Sequence, residues 1–121
     1  MTGSDSGIWP VQIRVLRAER ALEVDFDDGA KFRYPAELLR VESPSAEVQG
    51  HSAAQKVTLP GKRDVGIVEL EPVGNYAVRI VFDDGHSTGI YSWSNLYRLG
   101  RDQATIWQSY TTALEAKGLS R

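Results

Sequence analysis

Few residues in this chain are equipped for chemistry. Its 121 residues include two histidines and no cysteine, so thiolate metal sites, disulfides and cysteine nucleophiles are ruled out. His86 lies in the stretch Phe82-Asp83-Asp84-Gly85-His86-Ser87-Thr88-Gly89-Ile90-Tyr91-Ser92-Trp93. An imidazole in such a place is a metal ligand, a general base or a side chain that pins a turn by hydrogen bonding. One ligand makes no metal site, and the neighbours Asp84 and Ser87 suit the pinning role. His51 follows Gly50 in a long aperiodic segment and reads equally as an exposed loop residue. A two-histidine, one-carboxylate iron site would need both imidazoles and an acid. The usual His-x-Asp or His-x-Glu pair is missing: the chain offers His51-Ser52-Ala53 and His86-Ser87-Thr88. The pairs Asp27-Asp28 and Asp83-Asp84 are turn formers before they are cation ligands. Phosphate-cradling glycine loops and nucleophile elbows are absent. Lys62 and Arg63 form a basic corner that could meet an anion, and with His51 they are candidate loop contacts. Asp84, His86, Ser87, Tyr91 and Trp93 make the candidate binding surface, because an aromatic-rich patch beside a turn is an interaction surface wherever it is exposed.

Strands and short helices must position these residues. Val11, Ile13 and Val15 alternate across residues 9–16, a half-buried strand. Leu22, Val24 and Phe26 alternate next, and Ala30, Phe32 and Tyr34 follow the Asp27-Asp28-Gly29 turn. A three-residue loop pairs Phe26 with Ala30, Val24 with Phe32 and Leu22 with Tyr34, all apolar. A two-residue loop would oppose Phe26 to Lys31, placing apolar and charged groups on one face. Gly29 then takes the left-handed conformation. Residues 35–40 open on proline and read as a short helix. Ser43-Pro44 ends it. The segment 45–61 is a long loop with one helical turn near Ala46-Glu47-Val48.

A strand is expected over residues 65–70, a turn at Pro72-Val73-Gly74-Asn75 and a central strand over 76–82. The second Asp-Asp-Gly turn, read in the same three-residue register, pairs Phe82 with His86 and Val78 with Ile90. Ser92 caps a short helix through Tyr97. Asp102 caps the last helix, whose apolar stripe is Ile106, Trp107, Tyr110, Ala113 and Leu114, with Gly118 beyond its end. The motif at Phe26-Asp27-Asp28-Gly29 recurs at Phe82-Asp83-Asp84-Gly85, 56 positions on. Either an internal duplication or two hairpins solved alike would produce this echo. The fold expected is α+β: antiparallel hairpins in two similar units, short helices, and a C-terminal helix packed on the sheet.

The length suits a single domain over residues 9–121, with 1–8 a polar, disordered tail lacking signal-peptide features. Formal net charge is −2, which argues against nucleic acid or an anionic membrane as the main partner. With no apolar run of spanning length, a cytoplasmic protein that contacts another protein is expected.

Leu38-Leu39-Arg40, the loop to Gly50-His51, Pro72-Val73-Gly74-Asn75-Tyr76, and Asp84-Gly85-His86-Ser87 through Ile90-Tyr91-Ser92-Trp93 resemble the gamma-butyrobetaine hydroxylase-like N-terminal domain. The likeness covers roughly residues 10–100 and is strongest to small stand-alone bacterial members. In large members this module precedes a dioxygenase domain that uses iron and 2-oxoglutarate; similar modules are joined to iron–sulfur carrier ATPases. The resemblance therefore implies an accessory module linked to such a partner. It also implies a zinc site of three cysteines and one histidine. The corresponding positions are Ser43, Ser45, Val48 and His86, so the site is expected to be lost and no cofactor is expected. The alternative is a degenerate zinc or iron site that still uses His86.

Overall fold

The computed structural model describes residues 8–121. Strands β1 (Pro10–Leu16), β2 (Ala21–Phe26) and β3 (Lys31–Pro35) form one antiparallel sheet in that order. Strands β4 (Ile67–Val73), β5 (Ala77–Phe82) and β6 (Ile90–Ser92) form a second. Helix α1 (Ala36–Val41) follows the first sheet and α2 (Ala46–Gln49) follows α1; α3 (Trp93–Arg101) leaves the second sheet and α4 (Gln103–Ala116) follows α3. This is the α+β fold of two similar units. No helix among the described residues is long and apolar enough to cross a membrane.

The first hairpin takes the three-residue register: Val24 pairs with Phe32, Leu22 with Tyr34, and Phe26 N–H donates to Ala30 O. Gly29 has φ 91°, the left-handed turn residue that this register requires. The second hairpin departs from expectation. Phe82 N–H donates to His86 O as predicted, yet Val78 pairs with Tyr91 rather than Ile90. One extra residue is accommodated across Ser87-Thr88-Gly89. It turns Tyr91 into the core at 0% exposure and leaves Ile90 outside at 47%.

Other boundaries also differ from expectation. β4 runs through Pro72, which pairs with Val78; an edge strand tolerates a residue without an N–H. α3 continues past Tyr97 to Arg101. Asp102 holds the N-cap position of α4 but makes no capping bond, because Arg101 holds its carboxylate. Residues 1–7 of the expected tail lie outside the described residues, whereas Ile8 packs against the core.

The main core is continuous across both sheets and the inner faces of α1 and α3, with Leu22, Val24, Tyr34, Leu38, Leu39, Ile80, Leu96 and Leu99 at 0% exposure. Each such side chain contributes about 1.5–3 kcal/mol by leaving water. The α4 stripe is divided. Ile106 and Trp107 lie against this core, while Tyr110 and Leu114 form a second cluster with Val41 of α1.

The two units repeat several of each other's structural features. Both carry a bulge at the same place in their first strand, between Pro10 and Gln12 and between Ile67 and Glu69. Their tyrosines are exchanged: the Tyr34 hydroxyl donates to Leu96 O in the second unit, and the Tyr91 hydroxyl donates to Leu39 O in the first. Their turn aspartates are exchanged too, with Tyr97 donating to Asp28 and Arg40 to Asp84. Matching residues stand 57 positions apart in the first strands, 56 in the second strands and their turns, and 57 again after the extra residue at 87–89. These bonds clasp the halves from both sides. Removing one buried donor strands a carbonyl, so Tyr34→Phe and Tyr91→Phe should each lose about 1–3 kcal/mol, measured as the urea unfolding midpoint.

Candidate functional site

The clasp around Asp84 is polar. Ser43 lies just past α1, beyond the Glu42 C-cap, and is 0% exposed. Its Oγ lies 2.9 Å from His86 Nε2. His86 Nδ1 lies 3.3 Å from Glu47 Oε1. With Nδ1–H facing a carboxylate, Nε2 is the acceptor and the Ser43 hydroxyl donates to it. Ser45 caps α2 by accepting from Glu47 N–H, and its Oγ lies 2.9 Å from Thr88 Oγ1, which donates to Glu47 Oε2. One face of the cluster is closed by Phe82, whose ring centroid is 6.1 Å from that of His86.

Asp84 anchors the other side. Oδ1 accepts from His86 N–H at 3.1 Å, and Oδ2 accepts from Arg40 Nε and Lys62 Nζ, both at 2.7 Å. Burial alone would raise its pKa; the bonds from Lys62, the His86 amide and Arg40 outweigh it and bring it down to about 2. Arg40 Nη1 is buried with no partner among the described residues.

The His86 imidazole is pushed below its ordinary 6.5 by burial first and the Arg40 charge second, against the pull of Glu47 and Asp84. Unfolded chains therefore take up a proton that the folded chain refuses. Stability from this group is complete above about pH 6.5 and declines as pH falls through the window below it. A His86→Gln variant should lack this step when urea midpoints are followed from about pH 7 down to 5.

Hydroxyl, imidazole and carboxylate in this order have the connectivity of a nucleophilic triad. Access decides against that chemistry. A Cβ built on Gly89 would overlap Ser43 Oγ and crowd Tyr91 and Pro44, so no acyl donor reaches the hydroxyl. Nor do the residues fit a metal. Ser43 and Ser45 spend their oxygens on His86, Thr88 and the α2 N-terminus; Val48 is an apolar core residue at 1% exposure. No group of three His, Cys, Asp or Glu side chains among the described residues could hold an ion. Zinc prefers thiolates and imidazoles, and one imidazole is all this cluster supplies.

The opposite clasp, around Asp28, shows what the fold itself requires. There Phe26, Phe32 and Tyr97 stack edge to face at 5.1–6.0 Å, and Phe32 packs on Gly100 of α3. Phe32 matches Gly89 in position and Gly100 matches Ser43. One clasp is thus closed by aromatic rings and the other by buried polar groups, whose desolvation costs free energy that apolar packing would not. The fold does not demand polarity here.

Of the residues singled out from sequence, Asp84, His86 and Ser87 sit at this clasp with Ser43 and Ser45. His86 (7% exposed) and Tyr91 (0%) are buried and so drop out of the candidate binding surface. Trp93 is half-buried, its indole donating to Asn75 O. Lys62 joins the clasp through Asp84, whereas Arg63 and His51 are exposed and the His51 backbone is held by Gln55. Arg40, Glu47 and Thr88 were not singled out. Glu47 follows the serine that caps α2, and Arg40 closes the Leu38-Leu39-Arg40 motif that carries the family resemblance.

A family model described as "Gamma-butyrobetaine hydroxylase-like, N-terminal" matches residues 13–97. Two solution NMR structures resemble the chain. One shares 41% identity over 93% of this chain and 89% of its own, with a TM-score of 0.81. The other shares 45% over 100% and 90%, with a TM-score of 0.84. A crystal structure from Acidithiobacillus ferrooxidans, described as a DUF971-family protein with unknown function, shares 43% over 82% and 98%, with a TM-score of 0.64. No match to a curated protein is found. The chain belongs to the gamma-butyrobetaine hydroxylase-like N-terminal domain family.

Proposed function

We propose that the protein is a non-enzymatic accessory module that binds another protein through its second hairpin. The observation supporting this is a contrast in exposure. Ser43 and His86, the residues equipped for chemistry, are buried and satisfied by one another. On the same unit Ile90 (47% exposed) on β6 and Tyr76 (56%) in the turn before β5 present apolar surface, and the Tyr76 carbonyl accepts from the Trp93 backbone N–H. Large apolar side chains left exposed on one hairpin unit are candidate contact points for a partner. A 2-oxoglutarate- and iron-dependent oxygenase or an iron–sulfur carrier is the partner class that family resemblance favours.

Affinity capture from native cells should compare the wild type with an Ile90→Glu, Tyr76→Ala variant. An oxygenase or iron–sulfur carrier held by the first bait and lost by the second supports the reading; baits that retain identical proteins refute it. Metal analysis of untagged protein purified without chelator should find no stoichiometric zinc or iron. One equivalent, lost in His86→Ala, would replace this reading with a metal-binding one.

A further inference from the structure

Every residue of α1 is buried, yet its second residue, Glu37, is a carboxylate at 4% exposure. Among the described residues its side chain bonds only to Arg121, with Nη2 at 2.7 Å from Oε1 and Nε at 3.1 Å from Oε2. The same guanidinium lies 5.1 Å from the centroid of the Trp107 ring, a cation–π contact. Tyr110 stands beside Trp107, their ring centroids 5.3 Å apart, and its hydroxyl donates to Leu59 O. Two residues on, Gly61 N–H donates to Ser120 O at 3.0 Å. The residue before the arginine is thus held by its main chain and the arginine by its side chain. An extended peptide is recognised by this combination, main-chain bonds for affinity and a side-chain site for specificity.

Little else holds the occupant. Residues 115–121 are all exposed. Past Leu119, the one main-chain bond to the segment among the described residues is that from Gly61. Nor does the stability of α1 account for the charge, because apolar packing can replace a buried ion pair without loss. What the carboxylate and the indole do is select. A guanidinium matches them with two parallel N–H bonds and a flat face for stacking, and an ammonium has neither.

We propose that Glu37, Trp107 and Gly61 form a recognition slot for an arginine in an extended segment of another protein, and that Ser120-Arg121 fills this slot in cis. When the segment lifts away, Glu37 is left buried without a counter-charge, a costly state that an incoming arginine relieves. The slot plays no part in the second-hairpin reading and is tested separately from it.

The probe is N-acetyl-seryl-arginine amide, titrated into the ¹⁵N-labelled full chain while the Trp107 indole and Gly61 amide resonances are followed. Its citrulline analogue keeps the shape without the charge. Arg121→Ala opens the slot, and Arg121→Lys is a second host that keeps a counter-charge for Glu37. Saturable shifts are expected in both variants. Wild type should bind about tenfold more weakly, because a tethered arginine competes at about millimolar effective concentration. The citrulline analogue should give no saturable shift. Adding Glu37→Gln to Arg121→Lys should weaken binding at least about tenfold, the loss of a charge-assisted bond. Any of these results would overturn the proposal: no saturable shift in either variant, equal shifts with the citrulline analogue, undiminished affinity with Glu37→Gln, or wild-type affinity equal to that of the variants.

Discussion

Asp84→Ala is expected to destabilise the protein by about 3 kcal/mol. The carboxylate is the shared acceptor for Arg40 and Lys62, and side-chain exposures are 10% for Arg40 and 19% for Asp84. Without it the Arg40 guanidinium stays desolvated and unpaired, with Nη1 already lacking a partner among the described residues. The value sits at the low end for broken buried pairs because a fifth of the carboxylate surface still meets water. If stranded charge is the cause, removing it must restore stability. Arg40→Met combined with Asp84→Ala should therefore be more stable than Asp84→Ala alone. A pH profile gives the same answer independently. The Asp84 pKa is lowered to about 2, so its contribution is complete above the ordinary carboxylate range and is lost as pH falls from about 4 to 2. Asp84→Asn should flatten this profile. An Asp84→Ala protein within about 0.5 kcal/mol of wild type, the ordinary range for surface substitutions, would show that Lys62 and solvent already satisfy the site.

How legible this site was depended on whether local pattern or long-range packing decided each feature. The first hairpin was readable because Ala30, Phe32 and Tyr34 continue an unbroken alternation after Gly29, so only one register keeps charges off the apolar face. In the second hairpin Ser87-Thr88-Gly89 carries no apolar residue to hold the phase, and Ile90 and Tyr91 compete for the inward position. Tyr91 wins because its hydroxyl finds Leu39 O across the molecule, a partner no local pattern reveals. The same limit hid Arg40, Glu47 and Thr88, whose contacts span 41 to 44 positions along the chain. Ser43 and Ser45 were placed beside His86 through family resemblance rather than through their own spacing. Pro72 misled because a proline beside Gly74 signals a turn, and only its place on an edge strand made it compatible with β4.

Gly100→Ala is expected to have the opposite sign from its helical context. In an exposed helix interior this change stabilises by about 1 kcal/mol. Gly100 lies in the last turn of α3, where a Cβ would overlap Phe32 Cγ and Cδ2 and come within 2.8 Å of Phe32 Cβ. The Phe32 ring cannot swing aside, because Phe26, Tyr34 and Tyr97 surround it at 5.3–6.3 Å. Overpacking of this kind costs about 1–3 kcal/mol, so the net effect is a loss and the thermal midpoint falls. The other clasp supplies the control. Gly89 occupies the position matching Phe32, and a Cβ there meets Ser43 Oγ. Gly89→Ala should therefore destabilise as well, but with a partner that can be trimmed. Adding Ser43→Ala removes the overlapping oxygen, so the two changes together should cost less than the sum of the single losses. No single-atom deletion relieves Gly100→Ala, because the obstacle is the ring and the Cβ of Phe32 together. A thermal midpoint raised by Gly100→Ala would mean that α3 can slide over β3, and that the aromatic clasp tolerates a shift its polar counterpart would not.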